Sequence, residues 1–133
     1  MKAPVYQREA DVKKQVKKLL DKHNYFWWMP PANGFGKVGV SDLHAIKNGV
    51  FFAIETKFGK NKATLHQKAF LDSIRAEKGY GFIVTDQNIE FFEQFLETFG
   101  RSVDGVMKGE KPSPEDGSIM VNALRALTSD IVE

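Results

Sequence analysis

The sequence predicts an α/β fold, a mixed central β-sheet flanked by helices in the order α-β-β-α-β-α-α. Three observations predict it. Apolar residues recur at helical spacing over residues 5–22. An Asn48-Gly49 pair separates two apolar-rich runs, the signature of a β-hairpin. A Thr64-x-x-Gln67 capping box then opens a second helix before a short apolar strand.

Taken in order, the first helix carries Val12, Val16, Leu19 and Leu20 as an apolar stripe, with Lys13, Lys14, Lys17 and Lys18 directed mostly elsewhere. Residues 24–37, rich in Trp, Pro and Gly, read as a loop or irregular strand. Residues 38–46 and 50–57 form the two arms of the hairpin around Lys47-Asn48-Gly49. The capped helix from Thr64 sets Phe70, Leu71 and Ile74 on its inner face and stops at Gly79. Gly81–Thr85 is a buried strand. Residues 88–99 form a helix with Ile89, Phe92, Leu96 and Phe99 on one face. Lys111–Gly117 is a loop, and a last helix spans about 118–131.

The 133 residues, 42% of them hydrophobic, fit a single domain, with a core over about 5–90 and an acidic helical part over 88–133. There is no cysteine, which excludes a disulfide framework, a thiolate zinc site and a cysteine nucleophile. No apolar run reaches the ~20 residues of a membrane span. The start, Met1-Lys2-Ala3-Pro4, lacks the apolar stretch of a signal peptide. The expectation is a soluble, intracellular protein without a membrane partner. Charge is unevenly placed. Residues 1–22 hold seven basic and three acidic residues, 37–80 eight and four, and 81–133 four and ten. A basic first half points to a polyanionic partner, although a mixed, solvated surface would look the same.

If Asn48-Gly49 is a two-residue turn, Asp42 falls opposite Glu55, and Lys57 lies two positions further on the same face. Leu43, Ala45, Val50, Phe52 and Ile54 then form the reverse, apolar face, which should pack on helices. Opposed carboxylates destabilise a strand pair unless something compensates. A hard divalent cation is the natural compensation, since Mg²⁺ takes one or two carboxylates together with water and phosphate oxygens. Glu9 ends the apolar stripe of the first helix. It either reaches this patch or acts only as a first-turn acid near the positive helix end. Lys57 is either catalytic or a salt-bridge partner of Glu55.

The stretches Gly39-Val40-Ser41-Asp42-Leu43 and Phe52-Ala53-Ile54-Glu55-Thr56-Lys57, with Gln67 on the following helix, resemble the PD-(D/E)XK nuclease superfamily. Within it the chain is similar to the small stand-alone virus-type replication-repair nuclease (VRR-NUC) proteins of phages and bacteria. The resemblance covers about residues 5–90. It departs at Ser41, where the superfamily name has Pro. It implies a restriction-endonuclease-like core and a Mg²⁺-dependent endodeoxyribonuclease of replication, recombination or repair, with Mn²⁺ able to substitute. Asp42, Glu55 and the Thr56 carbonyl would ligate the metal, and Glu9 would bind it through water or help place a second ion. Lys57 would orient the attacking water and balance charge on the phosphate. Gln67 would hold a phosphate or the surroundings of Lys57. Family members of this kind are typically homodimers that cut branched DNA such as Holliday junctions, in the cytoplasm of a bacterial or phage-infected host cell.

Several positions are candidate DNA contacts. Lys60 and Lys62 follow the Glu-x-Lys strand, and Lys37 and Ser41 precede it. Lysine–phosphate contacts confer affinity without sequence information. Trp27 and Trp28 either stack on exposed bases or pack in the core or a dimer interface. The Phe-rich helix over 88–99 and the C-terminal helix are candidate dimer surfaces that core packing explains equally. A catalytically inactive DNA-binding module of the same fold, a restriction-type endonuclease and an interaction scaffold remain as alternatives. Base readout by a restriction enzyme usually needs more chain than this.

Overall fold

The computed structural model describes residues 3–31 and 39–131. In chain order these form α1 (Glu9–Lys22), β1 (Phe26–Trp28), β2 (Leu43–Lys47), β3 (Val50–Thr56), α2 (Leu65–Ala76), β4 (Tyr80–Val84), α3 (Ile89–Met107) and α4 (Pro114–Leu127), with a final 3₁₀ turn at Ser129–Ile131. The fold is mixed α/β, with a four-stranded sheet in the order β1-β2-β3-β4. β1, β2 and β3 are antiparallel neighbours, and β4 runs parallel to β3.

The expected order therefore lacked one strand. β1 is only three residues long and sits within the segment read as loop or irregular strand. Its partners set it at the edge, with Trp27 opposite Ala45 and Trp28 opposite His44. Short edge strands carry little periodicity for a sequence pattern to detect.

The hairpin forms as its turn residues require. Asn48 and Gly49 both have positive φ (51° and 81°), the backbone of a type I′ turn. The resulting register pairs Lys47 with Val50 and Leu43 with Ile54. Leu43, Ala45, Phe52 and Ile54 are fully buried on one face and join Val12, Val16, Leu19 and Leu20 of α1. Phe82, Phe92, Phe95, Phe99, Ala123 and Leu127 complete this core. Phe52 lies at its centre, with the rings of Tyr25, Tyr80, Phe82, Phe95 and Phe99 all within 6.2 Å.

Helix ends differ from expectation for local reasons. α1 starts at Glu9 rather than residue 5, because the Asp11 carboxylate accepts the backbone N–H groups of Gln7 and Arg8 and holds them outside the helix. α3 runs eight residues beyond Phe99. Its extension is tied to α4 by Arg101, which sits 2.7 Å from Asp116. α4 starts four residues early, at Pro114, where Ser113 caps it and proline occupies the first turn. The expected loop at Lys111–Gly117 is thus partly helix. The apolar face of α3 that had been a candidate dimer surface lies in the core, with Ile89, Phe92, Phe95, Leu96 and Phe99 buried.

α2 covers the opposite face of the sheet, over β3 and β4. Glycines permit its close approach. A Cβ at Gly81 would stand 3.0 Å from the Leu71 carbonyl oxygen, and one at Gly79 would stand 2.7 Å from the Ile74 side chain. Gly39, at φ 79°, lies against the first turn of α2, where a Cβ would collide with the His66 backbone. Among the described residues no helix is long and apolar enough to cross a membrane.

Phe52→Ala is expected to lower unfolding stability by about 4 kcal/mol, because the surrounding rings cannot collapse into the space. Urea denaturation followed by far-UV circular dichroism checks the value. A loss below about 1 kcal/mol would mean the core does not close on this residue.

Candidate active site

One more step of the β2–β3 register beyond Leu43–Ile54 sets Asp42 opposite Glu55. Directly opposed residues of this kind have Cβ atoms about 4.5–5.5 Å apart. Asp42 comes just before β2, and its carboxylate reaches across to β3. Oδ2 accepts the Thr56 N–H at 2.9 Å and the Thr56 hydroxyl at 2.8 Å. Its second oxygen, Oδ1, faces the Lys13 ammonium of α1 at 3.5 Å.

Glu55 is 1% exposed. Its Oε2 accepts the Gln67 side-chain amide at 2.8 Å and lies 3.4 Å from the Lys57 ammonium. Its Oε1 is buried and meets no hydrogen-bond partner among the described residues. Burial, followed by the nearby negative charge of Asp42, pushes the Glu55 carboxyl up to about 7, while Lys57 works in the opposite direction. The two carboxylates therefore sense each other across the strand pair.

Gln67 acts at two places. Its Oε1 accepts the Thr64 N–H at 2.9 Å, closing the capping box with the Thr64 hydroxyl, while its Nε2 donates to Glu55. The same residue that starts α2 thus orients a strand carboxylate. In this arrangement its amide is committed to Glu55 and Thr64 rather than turned outward.

The predicted residues divide accordingly. Asp42, Glu55, Thr56, Lys57 and Gln67 converge. Ser41 lies beside them but is 3% exposed, with its hydroxyl directed at the Leu43 carbonyl. Lys60 and Lys62 stand apart on the loop after β3, where with Lys68 they line a groove of about 660 Å³. Glu9 is half-buried at the first position of α1 and does not join Asp42 and Glu55 in a three-carboxylate cluster. Lys37 lies outside the described residues.

Sequence reasoning missed Lys13. The apolar stripe groups it with the other lysines of α1, directed mostly elsewhere. Its position four residues after Glu9 puts both on one helix face, which was the available signal. His44 shares the sheet face with Asp42. Desolvation lowers its pKa and favours the neutral ring, whose Nε2 has no partner among the described residues.

The donor set fits a hard divalent cation. Glu55 Oε1 is a buried oxygen lacking a partner among the described residues, and a second carboxylate opposes it. Mg²⁺ needs only one or two protein carboxylates, with water and phosphate oxygens supplying the rest. Among the described residues no group of three or more His, Asp or Glu gathers to hold an ion, so any such site is of this sparse type. The sequence matches no protein-family model and no curated protein.

The raised Glu55 value has a consequence for stability. The folded chain holds this proton more tightly than the unfolded chain, whose ordinary value is 4.5, so folding takes up a proton between there and about 7. The contribution is present in full below the lower value and is lost as pH rises through the upper one. In metal-free protein, Tm by scanning calorimetry should fall between about pH 5 and about pH 8 more steeply in wild type than in Glu55→Gln. His44 acts with the opposite sign and is common to both proteins. Equal slopes in the two would assign the ionisation elsewhere.

Proposed function

We propose that this chain is a metal-dependent endodeoxyribonuclease of the PD-(D/E)XK type, similar to the stand-alone VRR-NUC proteins, that hydrolyses DNA phosphodiester bonds. The observation that carries the reading is the opposition of Asp42 and Glu55 on neighbouring arms of one hairpin, with the Lys57 ammonium 3.4 Å from Glu55. Burial on a rigid sheet supports it, because preorganised charge acts more strongly away from water. The sheet order, with β4 parallel to β3 and α2 crossing between them, is consistent with a restriction-endonuclease-like core.

In this reading Asp42, Glu55 and the Thr56 carbonyl hold Mg²⁺ or Mn²⁺. Glu9, one helical turn before Lys13, would act only through water. The cation supplies charge neutralisation at the scissile phosphate and a more acidic water. Thr56 fixes the Asp42 carboxylate through two hydrogen bonds. Gln67 fixes Glu55. Lys57 orients the attacking water and offsets charge as it builds on the phosphate oxygens. Lys60, Lys62 and Lys68 line a separate groove that would take the phosphate backbone. Preference for branched DNA, and two copies acting as a symmetric pair, follow from the same family likeness.

The test is a cleavage panel of four-way junction, flap, single strand and linear duplex with Mg²⁺, Mn²⁺ or chelator. Junction cleavage should require the metal. Asp42→Asn and Lys57→Ala should each slow it about a hundredfold or more. Metal-independent cutting, or full activity in both variants, would remove the site from the chemistry. Equal cutting of linear duplex would remove the preference for branches.

A further inference from the structure

The sheet face that carries Asp42 and Glu55 continues away from them in two rows. The first row is Trp28, His44, Ala53 and Gly81, and the second is Phe26, Ile46, Phe51 and Gly79. α2 lies over the β3–β4 half, above the two glycines. Among the described residues, α2 reaches the β1–β2 half only through Phe70 on His44, and Trp28 is half-buried. Phe26 is 71% exposed and Ile46 38%, with Met29 beside them at 49%. The rings touch one another. Phe26 and Trp28 have centroids 5.8 Å apart, Trp28 and His44 5.5 Å, and His44 stacks on Phe70 at 5.8 Å.

We propose that this aromatic shelf, centred on Phe26 and Trp28, binds unpaired nucleobases adjacent to the phosphate held at Asp42 and Glu55. It rests on the nuclease reading and adds to it the state of the strand beside the cut. Two residues along a strand advance about 7 Å, so the rows lie about 7 Å and 14 Å from the acids. The first few nucleotides next to a held phosphate span that distance. Each base has a π face, so stacking on Trp and Phe is tolerant of sequence. A base within a duplex is already stacked on its neighbours and cannot occupy the shelf, which makes the shelf selective for frayed, flapped or branched strands. The Lys60/Lys62/Lys68 groove supplies phosphate contacts apart from the shelf.

A second copy adding a strand at this sheet edge is disfavoured. β1 is three residues long and runs into Met29-Pro30-Pro31. Proline has no N–H to extend a sheet, and such edges resist strand addition. Trp27, the other indole, is turned to the opposite side. It packs against the core and donates to Asp21 at 2.7 Å.

The two tryptophans are adjacent, so Trp27→Phe leaves Trp28 as the sole indole reporter. In chelator, titration with an oligothymidylate should quench its fluorescence, and a duplex of equal length should not. In fluorescence anisotropy, Phe26→Ala and Trp28→Ala should each bind the oligothymidylate about tenfold more weakly than wild type, with duplex binding unchanged. Phe26 is exposed enough that its variant retains the fold if Trp28→Ala does not. Unchanged single-strand affinity in Phe26→Ala, with no quenching of Trp28, overturns the proposal. So does sedimentation showing that Phe26→Ala converts a dimer to monomers while single-strand affinity is retained. The assay needs no metal or cleavage. An active nuclease with normal single-strand binding in the shelf variants therefore loses only the shelf, and an inactive protein with shelf-dependent binding loses only the nuclease.

Discussion

Two carboxylates that repel one another face each other across a strand pair, and much of the surrounding structure is arranged to hold them there. Asp42 is fixed by the Thr56 N–H and hydroxyl and faces Lys13. Glu55 is fixed by Gln67 and Lys57 and still keeps one buried oxygen without a partner among the described residues. Placing acidic groups this way is unfavourable for the fold alone. Retaining such strain at a site usually accompanies chemistry that uses it. The restraining groups come from three places in the chain: Lys13 from α1, Thr56 and Lys57 from the end of β3 and the residue after it, and Gln67 from the start of α2.

Those elements are positioned by the core on the other side of the sheet. Phe52 and Ile54 alternate with Ala53 and Glu55 along β3, so burying the first pair obliges the second to face α2. A slip of one residue would exchange the two sets. The Asn48-Gly49 turn and the aromatic packing on Phe52 prevent it, and the register of the acids is thereby inherited from the hydrophobic core.

This chain of dependence explains which features were legible in the sequence. Asn48-Gly49 has a backbone requirement that few residue pairs meet, so the hairpin, its register and the opposition of Asp42 and Glu55 could be read directly. The Thr64–Gln67 box was legible for the same reason, since a cap is a local interaction between residues three apart. β1 was not, because three residues at a sheet edge gain their structure from pairing with β2 rather than from their own pattern. The tie between Gln67 and Glu55 and the contact of Lys13 with Asp42 join residues 12 and 29 positions apart. Only the packing of α1 and α2 against the sheet makes them neighbours. The extra turns of α3 likewise depend on Arg101 meeting Asp116 on another helix.

The central claim is that Asp42 and Glu55 jointly hold a divalent cation, and electron paramagnetic resonance of free Mn²⁺ titrated with protein measures this without any substrate. The account predicts a saturable loss of the free-ion signal with wild type and with Lys57→Ala, and none above background with Asp42→Asn or Glu55→Gln. Equal Mn²⁺ uptake by wild type and both acidic-site variants would contradict it.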